Sequence, residues 1–227
     1  MQGYRAVTGP GSHYFDDDPT APSAPRDVTL LLPDTTLTLR TDRGVFGYER
    51  IDSGTKLLLL KAPPPPATGN LLDLGCGYGP IALTLAHRAP GATVWAIDVN
   101  ERARALCAAS AERNGLANVR VCSPDEVPDH IQFAAIWSNP AIRIGKAALH
   151  AMLLRWLRRL GPSGAATMVV LKHLGSDSLQ AWLTRQGYPT ERLASSGGYR
   201  ILHSTAASVT PVEDRLPPAD DPASGAP

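Results

Sequence analysis

The chain has few cysteines and no long apolar run, and each shortage excludes a class of protein. Its three cysteines, Cys76, Cys107 and Cys122, show no Cys-x-x-Cys spacing and are odd in number, which argues against a disulfide framework and a zinc cluster. No apolar run approaches the roughly 18 residues that cross a bilayer. The first residues also lack a hydrophobic signal region. We therefore expect a cytoplasmic protein with reduced thiols, no bound metal and no membrane contact.

The chain also lacks a strong net charge, but its charges are unevenly distributed. The formal net charge is +1, which gives no overall sign of a nucleic-acid partner. Asp and Glu are absent from His130 to Ser176. Six cations occupy that stretch: Arg143, Lys146, Arg155, Arg158, Arg159 and Lys172. A basic surface of this kind can attract phosphates even on a neutral protein, although an ordinary solvated helix face is an equally good interpretation.

The length of 227 residues suits one sizeable domain with flanking segments. Residues 1–25 and 207–227 are rich in Pro, Asp, Ser and Ala, which predicts loosely ordered or disordered ends. Residues 26–66 predict a small β/α lead-in with a proline spacer, and residues 67–206 predict the main domain.

Strand and helix patterns alternate from Asn70 onward. Strands are predicted at 70–74, 93–97, 119–122, 133–137 and 165–171, with a closing pair at 190–194 and 199–204. Helices are predicted at 80–88, 101–114, 146–160 and 177–186, and Gly161-Pro162 is interpreted as the stop of the third helix. The alternation predicts an α/β fold with a doubly wound, Rossmann-like sheet, and ligands beyond the carboxyl ends of its strands.

The most informative motif is Asp73-Leu74-Gly75-Cys76-Gly77-Tyr78-Gly79-Pro80, a strand end, a glycine turn and a helix start. Glycines let a ligand approach the backbone because they lack a Cβ, and Pro80 suits the first helical turn. The spacing is G-x-G-x-G, unlike the G-x-G-x-x-G of dinucleotide-binding folds, and no Gly-Lys-Ser/Thr follows. The Asp73 carboxylate would repel a pyrophosphate and suits a cationic or zwitterionic ligand.

A second acid follows the next apolar run. Asp98 comes directly after the predicted strand 93–97, where an acid can accept hydrogen bonds from ribose hydroxyls. With this pair of features the chain resembles the class I S-adenosylmethionine-dependent methyltransferases. The resemblance implies S-adenosylmethionine as the cofactor and a set of cofactor-binding residues: Asp73, Gly75, Gly77, Gly79, Asp98 and, for the adenine amine, Asp125. A purely structural glycine turn, and a helix-capping role for Asp125, are the alternatives.

The predicted fourth strand ends in Asn139-Pro140-Ala141-Ile142-Arg143-Ile144-Gly145-Lys146. Methyltransferases that act on amines carry Asn-Pro-Pro or Asp-Pro-Pro at this place. The resemblance implies that the Asn139 side-chain oxygen and a neighbouring backbone carbonyl hold the target NH₂, which makes Asn139 and Pro140 catalytic candidates. The alternative is an Asn that only forms a turn before Pro.

Further segments narrow the resemblance to the small-domain methyltransferase family that contains the small-subunit ribosomal RNA guanine-N2 methyltransferases. They are Gly44-Val45-Phe46, Asp52-x-Gly54-Thr55, the Ile-Arg-x-Gly-Lys run at 142–146 and Lys172-His173-Leu174-Gly175. The resemblance implies transfer to a guanine exocyclic amine of ribosomal RNA or a ribosomal subunit. In that case Arg143 and Lys146 grip phosphates and Phe46 lines the pocket.

One departure from the family pattern keeps other functions open. Ala141 stands where the family usually has a second proline, and alanine loosens a loop that proline would rigidify. This favours a catalytically silent domain that binds cofactor or RNA. A methyltransferase of a small molecule or of a protein amide is the other alternative.

Overall fold

A computed structural model of the protein describes residues 22–206. The predicted disorder of 1–25 and 207–227 falls almost wholly outside these residues. The strands are β1 Arg26–Leu31, β2 Thr36–Thr41, β3 Thr68–Leu74, β4 Gly91–Ile97, β5 Val119–Cys122, β6 Phe133–Ser138, β7 Leu160–Leu171, β8 Thr190–Ser196 and β9 Tyr199–Thr205. The helices are α1 Ser53–Lys61, α2 Pro80–Arg88, α3 Glu101–Arg113, α4 Lys146–Leu157 and α5 Ser176–Arg185. Short 3-10 turns lie at Ile142–Ile144 and Lys172–Leu174.

Seven of these strands form one sheet in the order β5-β4-β3-β6-β7-β9-β8. The first five are parallel to one another, and β9 is antiparallel to both of its neighbours. The predicted doubly wound, Rossmann-like α/β sheet of seven strands is therefore confirmed. After β3 the chain adds β4 and β5 on one side and then β6 and β7 on the other, so the strand order reverses between β3 and β6. Such folds bind ligands at this point, beyond the carboxyl ends of the strands.

The two faces of the sheet carry separate apolar cores, because side chains alternate between faces along each strand. Leu71 packs with the lead-in strands and with α1, α2 and α3. Its neighbour Leu72 packs on the opposite face with α4 and α5. The lead-in hairpin β1-β2 is thus part of the main fold. In the described part of the chain, no helix is long and apolar enough to cross a bilayer.

The predicted helix 146–160 is too long, and the strand after it begins earlier than expected. Helix α4 ends at Leu157 with Arg158 as its C-cap, and β7 already begins at Leu160. Gly161-Pro162 lies inside β7, beside the irregular pairing with β6 near Phe133. The Phe133 amide donates to the Arg159 carbonyl at 2.8 Å. Pairing with β6 therefore overrides the local helix-stop signal.

The start of helix α1 packs closely against β9, the last strand of the sheet. Asp52 is its N-cap and accepts from the Thr55 amide at 2.8 Å. A Cβ on Gly54 would lie 2.5 Å from the Tyr199 ring, so only glycine permits this approach. The start of α1 therefore packs directly against the Tyr199 ring of β9.

Candidate functional site

The carboxyl ends of four adjacent parallel strands gather most of the predicted site residues at one edge of the sheet. The glycine loop follows β3, Asp98 follows β4, Asp125 comes after β5 and Asn139 follows β6. The loop is tied to β4, because the amides of Gly75 and Cys76 both donate to the Ile97 carbonyl at 2.9 Å. The sheet thus places the cofactor-binding candidates beside the proposed target loop.

Asp73 is fully buried and holds the start of helix α2. Its Oδ2 accepts from the Ala82 amide at 2.8 Å, which supplies the cap that the N-cap residue Gly79 cannot provide. Its Oδ1 is buried without a hydrogen-bond partner in the described residues. An unpartnered buried carboxylate oxygen costs free energy, so this atom suits a cationic group such as the ammonium of a methionine moiety.

The three loop glycines have two different structural roles. Gly75 and Gly77 have φ of +80° and +54°, and nothing lies within 4 Å of a Cβ placed on either. Gly79 has φ of +99°, and a Cβ there would lie 2.7 Å from Cys107 Sγ and 2.7 Å from Leu83 Cδ1. Two glycines therefore leave open space for a ligand, whereas the third lets the loop pack against α3.

We expect Gly77→Ala and Gly79→Ala to fail in different ways. Gly77→Ala should lower the free energy of unfolding by about 1 kcal/mol, because alanine must adopt a left-handed backbone conformation. It should weaken cofactor binding more clearly, by ~10-fold or more, which corresponds to about 1.4 kcal/mol. Gly79→Ala adds a clash with Cys107 and should cost about 2–4 kcal/mol of stability. Urea denaturation and calorimetric titration with S-adenosylmethionine measure the two effects. The control is Gly115→Ala, which has φ of +68° and open space around its Cβ away from the loop. Weak cofactor binding by that control would show that backbone strain alone is responsible.

Asp98 forms a rigid acceptor at the end of β4. Its Oδ2 accepts from the Gly77 amide at 2.8 Å and its Oδ1 from the Asn100 amide at 2.9 Å. Burial raises the pKa of the Asp98 carboxyl, and these two backbone amides oppose that rise. Each carboxylate oxygen keeps a free lone pair. The pair of oxygens can therefore accept from two neighbouring hydroxyls.

The Asp73 carboxyl should leave a pH signature in stability. Burial raises the pKa of this group well above its usual range. Such a group stabilises the fold below its unfolded-state pKa of about 3.9 and loses that contribution as pH rises through the folded-state value. Asp73→Asn cannot titrate, so its stability relative to wild type should rise as the pH increases from about 4.

Urea denaturation over a range that begins below the unfolded-state pKa of about 3.9 and extends to neutral pH measures both this difference and that of its control. Asp34→Asn is the matched control, because the hydrogen bond from Arg88 lowers the pKa of the Asp34 carboxyl. Its relative stability should change in the opposite direction, falling as the pH rises through the lowered folded-state pKa. A pH-independent difference for Asp73→Asn would contradict the burial of a titrating carboxyl there.

Asn139 is held by two residues of the lead-in. Its Nδ2 donates to Asp52 Oδ2 at 2.9 Å and to Thr55 Oγ1 at 3.0 Å. The side-chain oxygen of Asn139 makes no such bond to the described residues and remains an acceptor. Ser138, one residue earlier, donates from its hydroxyl to the Leu74 carbonyl at 2.7 Å, which ties the ends of β6 and β3 together.

The backbone after Asn139 forms a tight turn centred on Ala141. The Ile142 amide donates to the Pro140 carbonyl at 2.8 Å, and Ala141 has φ −69° and ψ 73°, the geometry of an inverse γ-turn. This φ lies in the range that a proline ring imposes. Alanine thus adopts the proline-compatible φ in this structure, and the Pro140 carbonyl keeps one lone pair for a second donor.

Phe46 lies in a loop that contacts the cofactor side of the site. The Asn100 side chain donates to the Gly44 carbonyl at 3.0 Å, and a Cβ on Gly47 would lie 3.2 Å from the Tyr78 ring. Phe46 sits between these two anchors with 48% of its surface exposed. Phe46 therefore does not belong to the core, and its exposed ring is available to a ligand.

The cations of the acid-free stretch are not all available to a ligand. Arg155 pairs with Asp125 at 2.8 Å, although the Asp125 side chain is 87% exposed. Arg159 donates to the Ile131 carbonyl at 3.1 Å and lies over the rings of Phe133 and Trp156.

Three further cations lie around the proposed target loop or at the end of β7. Lys146 is exposed at the first position of α4, and Lys172 is exposed in the second 3-10 turn. Arg143 lies in the first 3-10 turn, between Asn139 and α4. Fewer of the six cations are therefore available to bind phosphate than the sequence alone suggests.

The sequence does not predict the role of several residues of the site. Asp52 and Thr55 belong to a segment that resembles the family and caps α1, but the sequence assigns them no contact with the site. Asn100 is the N-cap of α3, where its Oδ1 accepts from the Ala103 amide at 3.1 Å. Each also bonds a distant loop of the site. The capping pattern marks a helix start but does not reveal this second contact. Among residues 22–206, no group of three or more His, Cys, Asp or Glu side chains is placed to hold a metal ion.

Comparison with known families agrees with this geometry. Residues 36–203 match the model of a family described as "Methyltransferase small domain". The chain belongs to this family. The predicted resemblance to it and the predicted cofactor, S-adenosylmethionine, are confirmed. The chain is accordingly an S-adenosylmethionine-dependent methyltransferase.

The relatives of this chain include a protein described as uncharacterized and ribosomal RNA methyltransferases. Bacillus subtilis YbxB, described as uncharacterized, is 37% identical over 169 residues, 73% of this chain and 84% of its own length. The ribosomal RNA small subunit methyltransferase C of Shewanella oneidensis is 31% identical over 167 residues, 71% of this chain and 48% of that protein. The chain thus spans about half the length of this second relative.

The fold is also that of a solved methyltransferase. A T. thermophilus 16S rRNA N2 methyltransferase, in complex with AdoMet and guanosine, superposes with a TM-score of 0.70 at 23% identity. The match covers 81% of this chain and 51% of that one. At this identity the likeness supports the fold and leaves the substrate to be argued from the site.

Proposed function

We propose that the protein methylates the exocyclic amine N2 of guanine in ribosomal RNA. One observation carries the proposal: the Asn139 amide oxygen is left as an open acceptor at the end of β6, next to the glycine loop and Asp98. An amide oxygen and a backbone carbonyl suit an NH₂ group, which has two hydrogens to donate. The names of the ribosomal RNA methyltransferase relatives favour RNA over a small molecule.

The residues present fit the cofactor. In the proposed complex, Asp73 Oδ1 accepts from the methionine ammonium, Gly75 and Gly77 give the backbone room, and Asp98 accepts from the ribose hydroxyls. Asp125 is proposed for the adenine amine, in competition with its pairing to Arg155. When bound, S-adenosylmethionine supplies an electrophilic methyl group on a positively charged sulfur.

The protein's part in the reaction is mainly to position the target amine. The Asn139 oxygen and the Pro140 carbonyl each accept one amine hydrogen, so that the nitrogen lone pair faces the methyl group. Holding two reactants in line can supply much of the barrier reduction. The amine becomes positively charged on transfer and then loses one proton to water, so this proposal needs no protein base.

The RNA contacts are proposed for residues around this loop. Lys146 lies at the N-terminus of α4, where the helix dipole disfavours a cation, and it has no ion-pair partner among residues 22–206. A phosphate would stabilise it there. Arg143 is proposed for a neighbouring phosphate, and Phe46 is proposed to stack on a base.

The experiment that tests the function follows the methyl group. The protein is incubated with methyl-labelled S-adenosylmethionine and, separately, with small ribosomal subunits, naked ribosomal RNA and a small-molecule extract. Label on a guanine N2 supports the proposal, and label only in the extract supports a small-molecule enzyme. Cofactor binding with no labelled product from any pool would favour the silent domain and overturn the proposal.

A further inference from the structure

Asp52 and Thr55 contribute to the site through Asn139. We infer that they are positioning residues that fix the Asn139 amide so that it can only accept a hydrogen bond from the target. This inference rests on the proposed role of Asn139. It assigns a task to the lead-in segment, which lies outside the glycine loop and the Asn-Pro turn.

The orientation of the Asn139 amide follows from the chemistry of its partners. The nitrogen and oxygen of an amide are alike in shape, so their neighbours decide which way the group points. An ionised carboxylate has only acceptor oxygens, and Asp52 Oδ2 lies 2.9 Å from the amide. The nitrogen must therefore face Asp52, and Thr55 Oγ1 accepts its second hydrogen at 3.0 Å. Both hydrogens of Nδ2 are used.

The two acceptors are themselves held rigidly. The Asp52 carboxylate oxygen that binds Asn139 also accepts from the Thr55 amide, at 2.8 Å, as the cap of α1. Thr55 is only 4% exposed. Burial, and after it the nearby Asp52 charge, raises the pKa of the Tyr199 hydroxyl. The ring of Tyr199 also contacts Gly54 in α1. The residues that orient the Asn139 amide are thus also the residues that begin helix α1 and place it on the sheet.

This arrangement selects the kind of group that can be methylated. With Nδ2 occupied, Asn139 offers a target only its oxygen, which matches an amine hydrogen and repels a carbonyl or ring-nitrogen acceptor. If the amide turned over, its NH₂ would attract those acceptors instead. The Asp52–Thr55 pair therefore favours an exocyclic amine over other positions of a base.

Three substitutions test the inference in the full-length protein. Thr55→Val keeps the shape and removes one acceptor, and Asp52→Ala removes the other together with the helix cap. Both should lower kcat about 10- to 100-fold, the scale of loss from a ~1 Å misplacement. The Kd for S-adenosylmethionine should stay within about 2-fold, since neither residue is proposed to touch it. Asp52→Asn can still present an oxygen to both donors and should recover most of the activity relative to Asp52→Ala.

Two readouts separate positioning from general damage. Thr55→Val should shift the side-chain amide signal of Asn139 in a ¹H–¹⁵N spectrum, a signal assigned by its loss in Asn139→Ala. Thr55→Val should also cause little further loss when added to Asn139→Ala, because the two residues act as a unit. The control is Thr184→Val, the same substitution at an exposed helical threonine outside the site, whose hydroxyl donates to the Gln180 carbonyl at 3.1 Å. This control should keep wild-type turnover.

The outcomes also separate this inference from the proposed function. If Asn139→Ala loses turnover while Thr55→Val and Asp52→Ala keep it, the positioning role is wrong and the proposed function stands. If Asn139→Ala itself keeps wild-type turnover, the proposed role of Asn139 fails. If Thr55→Val lowers kcat equally in the presence and absence of Asn139, the loss has another cause and the inference is overturned.

Discussion

Asn139→Ala should lower kcat for methyl transfer by about 100- to 1,000-fold, the range seen when one preorganised hydrogen-bonding group is removed from an active site. The substitution removes the open amide oxygen at the end of β6 and leaves Asp52 and Thr55 without their shared donor. Cofactor affinity should change little, because the glycine loop and Asp98 lie on β3 and β4. Single-turnover kinetics with labelled cofactor, together with calorimetric titration, measure the two quantities separately.

Asn70→Ala provides a matched control for this substitution. Asn70 lies in the first half of β3, away from its carboxyl end, and bonds Trp95 and the Gln132 carbonyl. Its replacement should leave turnover near the wild-type rate. Wild-type turnover by Asn139→Ala would instead refute the assigned role of Asn139. Loss of cofactor binding in that variant would indicate that the loop had rearranged.

The second large effect is expected for Asp98→Ala, which should raise the Kd for S-adenosylmethionine by about 100-fold or more. Hydrogen bonds to charged groups contribute about 1.5–3 kcal/mol each, and each 1.4 kcal/mol corresponds to a factor of ten. Two ribose bonds therefore account for at least ~100-fold. The substitution also removes the acceptor of the Gly77 amide, which loosens the loop itself.

Calorimetry with the cofactor and filter binding with ribosomal RNA distinguish the consequences of Asp98→Ala. RNA affinity should stay near the wild-type value, because the proposed phosphate contacts, Arg143 and Lys146, lie beyond β6. Asp129→Ala, which removes an exposed carboxylate in the loop before β6, is the control and should bind the cofactor normally. Unchanged cofactor affinity in Asp98→Ala would exclude the ribose assignment.

Most of the fold could be predicted because its signals are local. Pro80 begins α2 and Asn114 caps α3 where the sequence places them, and Asp98 follows its strand as expected. The end of α4 could not be predicted in the same way. Its glycine and proline resemble a helix stop, but pairing between Leu160 and Phe133 draws them into a strand. Glycine and proline therefore predicted the wrong end for α4, because a strand distant in sequence supplied hydrogen bonds to this segment.

The site was predictable to a smaller extent. Motif spacing points to the glycine loop and to Asn139, but it treats the loop glycines alike. Only packing shows that Gly79 faces Cys107 while Gly77 faces open space. The bond from Asn139 to Asp52 joins residues 87 positions apart. No periodicity or capping rule connects such a pair, so it follows from the tertiary fold alone.

The contact between Gly54 and Tyr199 has a consequence for the order in which the enzyme is completed. Helix α1 is among the first elements to be synthesised, but the ring that fixes its distance from the sheet belongs to β9, the last strand. A nascent chain that stops before β9 already has its glycine loop and its Asn-Pro turn, yet lacks the ring that seats α1. The position of α1, and with it the contact of Asp52 with Asn139, is therefore complete only after the last strand has been synthesised and has joined the sheet.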